Sequence, residues 1–350
     1  VKQNYKCLLK DIGIVVIVLL LIFLIPIIFG TIINVKSKNK DVEIPKEDLN
    51  LNINLQYIKD LDIDLEKVKV FISKKNKVEE ISLEEYVLGV VSSEMPASFE
   101  REALIAQAIL ARTFVLSKKL NPCKKANGAD ICDSVHCQAY TNAKEKEKSL
   151  NKNNNGLFNK ISEAIKECES MVLSYNEVLV RYPQYFSTSS GRTEDAKSVF
   201  AMDIPYLKSV ESLGEEISPK YNEVFTFSLN DFIKKFNSKY SNSNLNTKNI
   251  SNNIQIISKN PGGTINELKI GGVSIKGTEF RYMYGLNSAN FNIIVDKNKV
   301  IIECFGYGHA VGMSQWGANV MAKNKKNHKE ILQHYYTGCE VIPINQCRIE

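Results

Sequence analysis

Two blocks set reactive or hydrogen-bonding side chains inside apolar, glycine-containing stretches: Glu85-Tyr86-Val-Leu-Gly-Val-Val-Ser-Ser-Glu94-Met-Pro96 and Tyr307-Gly-His309-Ala-Val-Gly-Met-Ser-Gln315-Trp-Gly-Ala318. A polar group in such surroundings is costly unless it is paired or used. The carboxyl of Glu94, flanked by Val90, Val91 and Met95, is expected to be partly desolvated. That disfavours the anion and raises its pKa toward that of a general acid at neutral pH. Together the two blocks point to an enzyme with a carboxyl group at its centre. The competing structural reading has Glu94 capping a helix or pairing with Arg112. For His309 and Gln315, substrate contact and the satisfaction of backbone groups are equally open. Glu194 is a rival acid, but its neighbours Arg192, Asp195 and Lys197 predict a solvated setting.

A second kind of chemistry lies between the blocks. Cys123, Cys132, His136 and Cys137 place three thiolates and one imidazole within fifteen residues, enough for a tetrahedral zinc site. The spacing is not a Cys-x-x-Cys pair, and a disulfide is the alternative. Neither a His-Glu-x-x-His motif nor a glycine-flanked nucleophile accompanies the cluster, so a structural metal fits better than a zinc amidase or a cysteine peptidase. Cys339 and Cys347 form either a terminal disulfide or two free buried thiols.

The elements that must position these groups follow from periodicity. Val68, Val70 and Ile72 alternate with polar residues as a half-buried strand does, and Lys74-Lys75-Asn76 turns into a second strand at Val78 to Ile81. Ser82 and Glu85 fit a capping box that starts a helix running to about Val91, with Glu94 just past its end. A second helix beginning near Ser98 carries Leu104, Ala108, Ala111 and Val115 at helical spacing. Glu94 thus stands at a corner held by rigid elements on both sides, which suits a catalytic group. Residues 117–156 read as an insertion, with Asn142 to Gly156 a solvated loop. Residues 205–300 read as a smaller α+β lobe. It holds strands at Val224 to Ser228, Ile254 to Ile257 and Leu268 to Ile275, a helix at Leu229 to Phe236 and a turn at Pro261-Gly-Gly263. Helices at Val311 to Ala322 and His328 to Tyr336 complete an α+β, two-lobed catalytic domain over residues 68–350.

At 350 residues the chain is long enough for a large core and a second lobe. Its formal net charge of +6 is spread along the sequence, which argues against a nucleic-acid partner. Ile12 to Ile33 is a run of 22 uncharged residues that would span about 33 Å as a helix, long enough to cross a bilayer despite Pro26. It predicts an uncleaved N-terminal transmembrane helix after a short tail, followed by a polar stalk over residues 34–67. Lys2, Lys6 and Lys10 on one side match Lys36, Lys38 and Lys40 on the other, so charge does not choose the orientation.

Three regions together, Glu85 to Val115, Ser187-Thr-Ser-Ser-Gly191-Arg-Thr-Glu194 and His309 to Thr337, resemble the signature regions of the stage II sporulation protein D family in order and spacing. The resemblance implies a lytic transglycosylase that cleaves peptidoglycan glycan strands, stripped of stem peptides, during forespore engulfment. It implies Glu94 as the catalytic acid and Tyr185, Ser187, Ser189, Arg192, His309 and Gln315 as the glycan groove, since N-acetyl sugars pair with hydroxyls and aromatic faces. It also implies zinc at Cys123, Cys132, His136 and Cys137. A single-pass anchor in the mother-cell membrane would hold the catalytic domain outside the cytoplasm facing the septum, with the sporulation amidase and membrane protein of the engulfment complex, stage II proteins P and M, as partners. Related domains also occur in amidase enhancers, so a noncatalytic glycan-binding activator is the alternative function.

Overall fold

Alternation of buried valines with exposed lysines produces the first hairpin. Strand Lys67–Ile72 pairs antiparallel with Lys77–Ser82 in a register that sets Val70 opposite Glu79 and buries Val68 and Val70 completely. Asn76 supplies the left-handed residue of the turn at φ 48°. The computed structural model describes residues 56–151 and 156–349. The expected membrane-crossing segment Ile12 to Ile33 lies outside them, as does most of the stalk. Among the described residues no helix is long and apolar enough to cross a membrane.

Ser82 accepts a hydrogen bond from the Glu85 N–H at 3.3 Å and starts the helix Leu83–Glu94. This helix outlasts its expected end at Val91 by three residues. The Ser92 and Ser93 hydroxyls bond the carbonyls of Leu88 and Gly89, and the Met95 N–H reaches Val91. Pro96 then forces Met95 into an extended conformation, so Glu94 is the last helical residue rather than the first residue beyond it. A turn closed from the Phe99 N–H to the Pro96 carbonyl delays the second helix, Arg101–Leu120, to three residues past Ser98.

That second helix is the axis of the main core. Leu104, Ala108, Ala111 and Val115 are fully buried along it. Helices Leu83–Glu94, Leu157–Glu167, Gln315–Lys323 and His328–Tyr335 surround it. A five-stranded sheet ordered Gln56–Tyr57, Arg348–Ile349, Val178–Leu179, Met171–Tyr175, Cys339–Pro343 packs against it through Met171–Tyr175. Between helices, Ile131–Cys132 adds a short parallel strand beside Val70–Phe71. Ala143–Asn151 is helical where a solvated loop is expected. Its alternating Lys and Glu are good helix formers, and the Asn142 side chain accepts from the Lys144 N–H at its start.

A second, separate core forms the smaller lobe, built from Phe232, Phe236, Leu268, Phe280, Tyr284, Phe291 and Ile302. Two three-stranded antiparallel sheets carry it. One joins Asn222–Ser228, Lys299–Phe305 and Phe291–Asp296. The other joins Ile254–Lys259, Ile265–Ile270 and Val273–Lys276. Helices Leu229–Lys239 and Gly277–Tyr284 complete the lobe, while Tyr206 and Leu207 are buried in the main core. The run expected as one strand from Leu268 to Ile275 is broken by Gly271 and Gly272, both at positive φ. The helix expected from Val311 begins only at Gln315. Gly312 sits at φ +76° with room for no side chain, since a Cβ there would lie 1.9 Å from the Gln184 carbonyl oxygen. Met313–Ser314 then pairs in parallel with Tyr185–Phe186. The described residues thus form a mixed α+β architecture with two cores.

Candidate active site

Glu94 ends its helix at the wall of an open cleft of about 550 Å³. Its Oε1 accepts the Ala139 backbone N–H at 2.7 Å, and the Tyr185 hydroxyl oxygen lies 3.4 Å away. Tyr185 is also 3.0 Å from Gln138 Oε1. Burial raises the Glu94 pKa, and hydrogen bonds from the Ala139 N–H, the Gln315 amide and the Tyr185 hydroxyl oppose the rise. Pairing with Arg112 is ruled out. That guanidinium is wholly buried and holds Glu84 through Nε at 2.8 Å and Nη2 at 2.6 Å, while Nη1 donates to the Met171 carbonyl.

The structure brings Tyr185, Ser187, His309 and Gln315 to the same cleft as Glu94. Tyr185 arrives on the strand paired with Met313–Ser314, and Gln315 begins the helix that follows. The Gln315 Nε2 donates to Gln107 Oε1 at 3.4 Å. His309 Nδ1 accepts from the Val311 N–H at 3.1 Å, and its ring lies against Phe186 and Phe200. Burial first, and the charge of Arg281 second, push its pKa down to about 4, so it is neutral at pH 7. The sequence did not mark Tyr182 and Met202, which with Tyr307 expose apolar surface on the rim. Nor did it mark Gln138 and Ala139, whose adjacency to Cys137 was the available signal.

Ser189 and Arg192 lie away from the cleft. Ser189 is buried, with its N–H donating to Glu215 Oε2 at 2.8 Å. Arg192 pairs through its strand with Glu211 and donates to Ser209 Oγ at 3.0 Å. Glu194, expected to be solvated, is fully buried. Its carboxylate accepts from the Gly262 N–H, the Thr264 N–H and the Thr264 hydroxyl at 2.8, 2.9 and 2.6 Å, which fastens the smaller lobe to the main one. Gly262 is needed there, because a Cβ would approach the Glu194 carboxyl carbon to 2.7 Å.

Cys123, Cys132, His136 and Cys137 converge, with their ligand atoms all within 4.8 Å of one another. His136 Nδ1 lies 3.4, 3.9 and 3.6 Å from the sulfurs of Cys123, Cys132 and Cys137. Tetrahedral zinc with ordinary Zn–S and Zn–N lengths requires N···S separations of about 3.6 Å. The four side chains could therefore hold one metal ion. Cys339 and Cys347 are free and buried, and burial pushes both thiols up to about 12. The cluster and the cleft share one strut. Cys137 is followed by Gln138, whose Nε2 donates to the Ala111 carbonyl, and by Ala139, whose N–H holds Glu94. Gly89 lets this strut close on the helix, since a Cβ there would meet the Tyr140 ring and the Thr141 carbonyl at 2.5 Å.

A family model described as a stage II sporulation protein matches residues 72–175, the stretch that holds Glu94 and the Cys/His cluster. Stage II sporulation protein D of Bacillus subtilis (strain 168) is 36% identical to this chain over 276 residues, covering 78% of each. The chain belongs to the stage II sporulation protein D family. The stage II sporulation protein D of Bacillus amyloliquefaciens is 35% identical over the same length and shares. An amidase enhancer of Bacillus subtilis (strain 168) is 26% identical over 297 residues, 71% of this chain and 39% of the enhancer.

Proposed function

We propose that this member of the stage II sporulation protein D family is a lytic transglycosylase. It cleaves peptidoglycan glycan strands between N-acetylmuramic acid and N-acetylglucosamine during forespore engulfment. The observation that carries this reading is that Glu94 is the one carboxyl group among the described residues lining the cleft. Hydrolytic glycosidases need two carboxyl groups, one to protonate the leaving oxygen and one to act on water or on the sugar. Here the nucleophile comes with the substrate. Glu94 gives its proton to the glycosidic oxygen as the C1–O4 bond breaks. The 6-hydroxyl of the muramyl sugar then bonds C1, and its proton returns to the Glu94 carboxylate. No water enters, and the product ends in a 1,6-anhydro sugar.

The remaining groups support that cycle. The Ala139 N–H stabilises the negative charge that develops on Glu94 as the proton leaves. Tyr185, Ser187 and Gln315 contact the glycan. His309, neutral and bonded to backbone, shapes the wall beside them. Cys123, Cys132, His136 and Cys137 hold a structural zinc, which would supply fixation of the strut and no open ligand position. The domain works outside the cytoplasm from a mother-cell membrane anchor, on strands freed of stem peptides by the sporulation amidase, in a complex with stage II proteins P and M.

The likeness to an amidase enhancer favours a second reading, a noncatalytic glycan-binding activator of an amidase. One experiment separates them. Glu94→Gln keeps the shape of the side chain and removes its titratable proton, so it should abolish cleavage of peptide-free glycan while the fold and glycan binding persist. Full cleavage by this variant refutes the assignment, and no cleavage by the unaltered protein with retained binding favours the activator.

A further inference from the structure

Peptide-free glycan is an anionic polymer. The bond that an amidase breaks joins the stem peptide to the lactyl carboxyl of the muramyl sugar, so its loss leaves a free carboxylate on that sugar. A cleft that takes such a strand is served by a cation with no other partner. Glu94 is the one carboxyl among the described residues lining this cleft, and Lys118 and Arg181 line it as well. Lys118 sits in the last turn of the Arg101–Leu120 helix, where the backbone dipole favours a cation. Its neighbour Lys119 shows how such a lysine is ordinarily satisfied, since it is largely buried and holds Asp130 at 3.2 Å. Lys118 has no such partner. Among the described residues no oxygen receives its ammonium, which lies 5.5 Å from the centre of the Phe114 ring one turn earlier. Phe114 lines the cleft too, so the ring holds the half-buried lysine at the cleft wall.

We propose that Lys118 pairs with a muramyl lactyl carboxylate of the bound strand and so makes the cleft select glycan freed of stem peptides. The identity of the strand rests on the glycan-cleaving reading given above. Helix geometry sets where along the strand the contact falls. The Ala111 carbonyl accepts from Gln138, whose neighbour Ala139 holds Glu94. Lys118 stands about two turns further along the same helix, roughly 10 Å at 1.5 Å per residue. Its ammonium therefore meets a part of the strand away from the bond that breaks, and it acts on binding rather than on the chemistry. Lys118 is a specificity-determining residue and not a catalytic one. A strand that keeps its stem peptides presents a neutral amide in place of the carboxylate and leaves the ammonium without its anion.

The test measures binding by the full chain carrying Glu94→Gln, so that no strand is cut during the measurement. Two probes are compared: peptide-free glycan strands, and the same strands with their lactyl carboxyls converted to primary amides. The carboxylate strands should bind about 10-fold more tightly at low salt, and the difference should shrink as salt is added. Adding Lys118→Gln should remove the preference by weakening the carboxylate strands alone, while Lys118→Arg should keep it. Equal binding of the two probes by protein that retains Lys118 overturns the proposal, as does a loss on Lys118→Gln that is the same for both. Failure to bind either probe overturns it too. If Lys118→Gln fails to fold, Lys118→Met, which keeps the apolar stem on Phe114, is read in the same way. Cleavage is scored separately with Glu94 in place. Cutting without discrimination keeps the transglycosylase reading and removes this one, and discrimination without cutting does the reverse.

Discussion

If the cluster holds the proposed zinc, replacing Cys132 with Ser removes one of its four ligand atoms and should release the ion. The consequence reaches the acid through two residues. With the strut unfixed, the Ala139 N–H no longer sits 2.7 Å from Glu94 Oε1. A hydrogen bond to a charged group contributes about 1.5–3 kcal/mol. Because the charge on Glu94 develops as its proton leaves, most of that is lost from the transition state rather than from the bound substrate. The cleavage rate should fall by roughly 10- to 150-fold with a smaller change in glycan affinity. The assay measures product release from peptide-free glycan alongside the metal content of the same preparation by elemental analysis. A metal-free Cys132→Ser protein that folds and cleaves at the unaltered rate refutes the coupling. A cluster found joined as a disulfide in protein purified without chelator refutes the metal.

Two further predictions concern buried carboxyls away from the cleft. Burial raises Glu215 to about 7 from an ordinary value of 4.5, against hydrogen bonds from Ser212, Ser314 and the Ser189 N–H. The folded chain therefore binds this proton more tightly than the unfolded chain. Its contribution, about 3 kcal/mol, is fully present below about pH 4.5 and lost as pH rises through about 7. Denaturant titrations of the protein and of Glu215→Gln should show the difference in stability changing by that amount across this window, and a constant difference contradicts the reasoning. Glu194→Ala strands three buried donors at Gly262 and Thr264 and should cost about 3 kcal/mol. An unchanged unfolding midpoint would show that the lobes are held together by other contacts.

Local patterns carried much of this fold into the sequence. The Ser82 cap, the Leu104 to Val115 repeat and the Val68 and Val70 alternation are short-range features, and each produces the expected element. Termini shifted where a neighbour intervened, as when the serine hydroxyls and Pro96 moved the helix end to Glu94. What stayed hidden depends on partners far along the chain. Glu194 sits in a polar segment, yet the groups that bury it, Gly262 and Thr264, come from another lobe. Arg112 finds Glu84 across a helix pair, which sequence spacing alone does not distinguish from Glu94. Ser189 follows Ser187 by two residues but is buried, with its backbone N–H on Glu215 from a segment 26 residues on. The link from the Cys/His loop to the acid runs through a backbone N–H, and any residue but proline supplies one.

The central claim is that a single carboxyl suffices because the substrate brings its own nucleophile, and the mass of the product tests it most directly. Purified glycan strands free of stem peptides, digested by the full chain, should yield fragments ending in 1,6-anhydro-N-acetylmuramic acid, lighter than hydrolysed fragments by one water, and Glu94→Gln should yield none. Fragments ending only in reducing sugars would contradict the account, because they require water and a second carboxyl group that the described residues lining the cleft do not present.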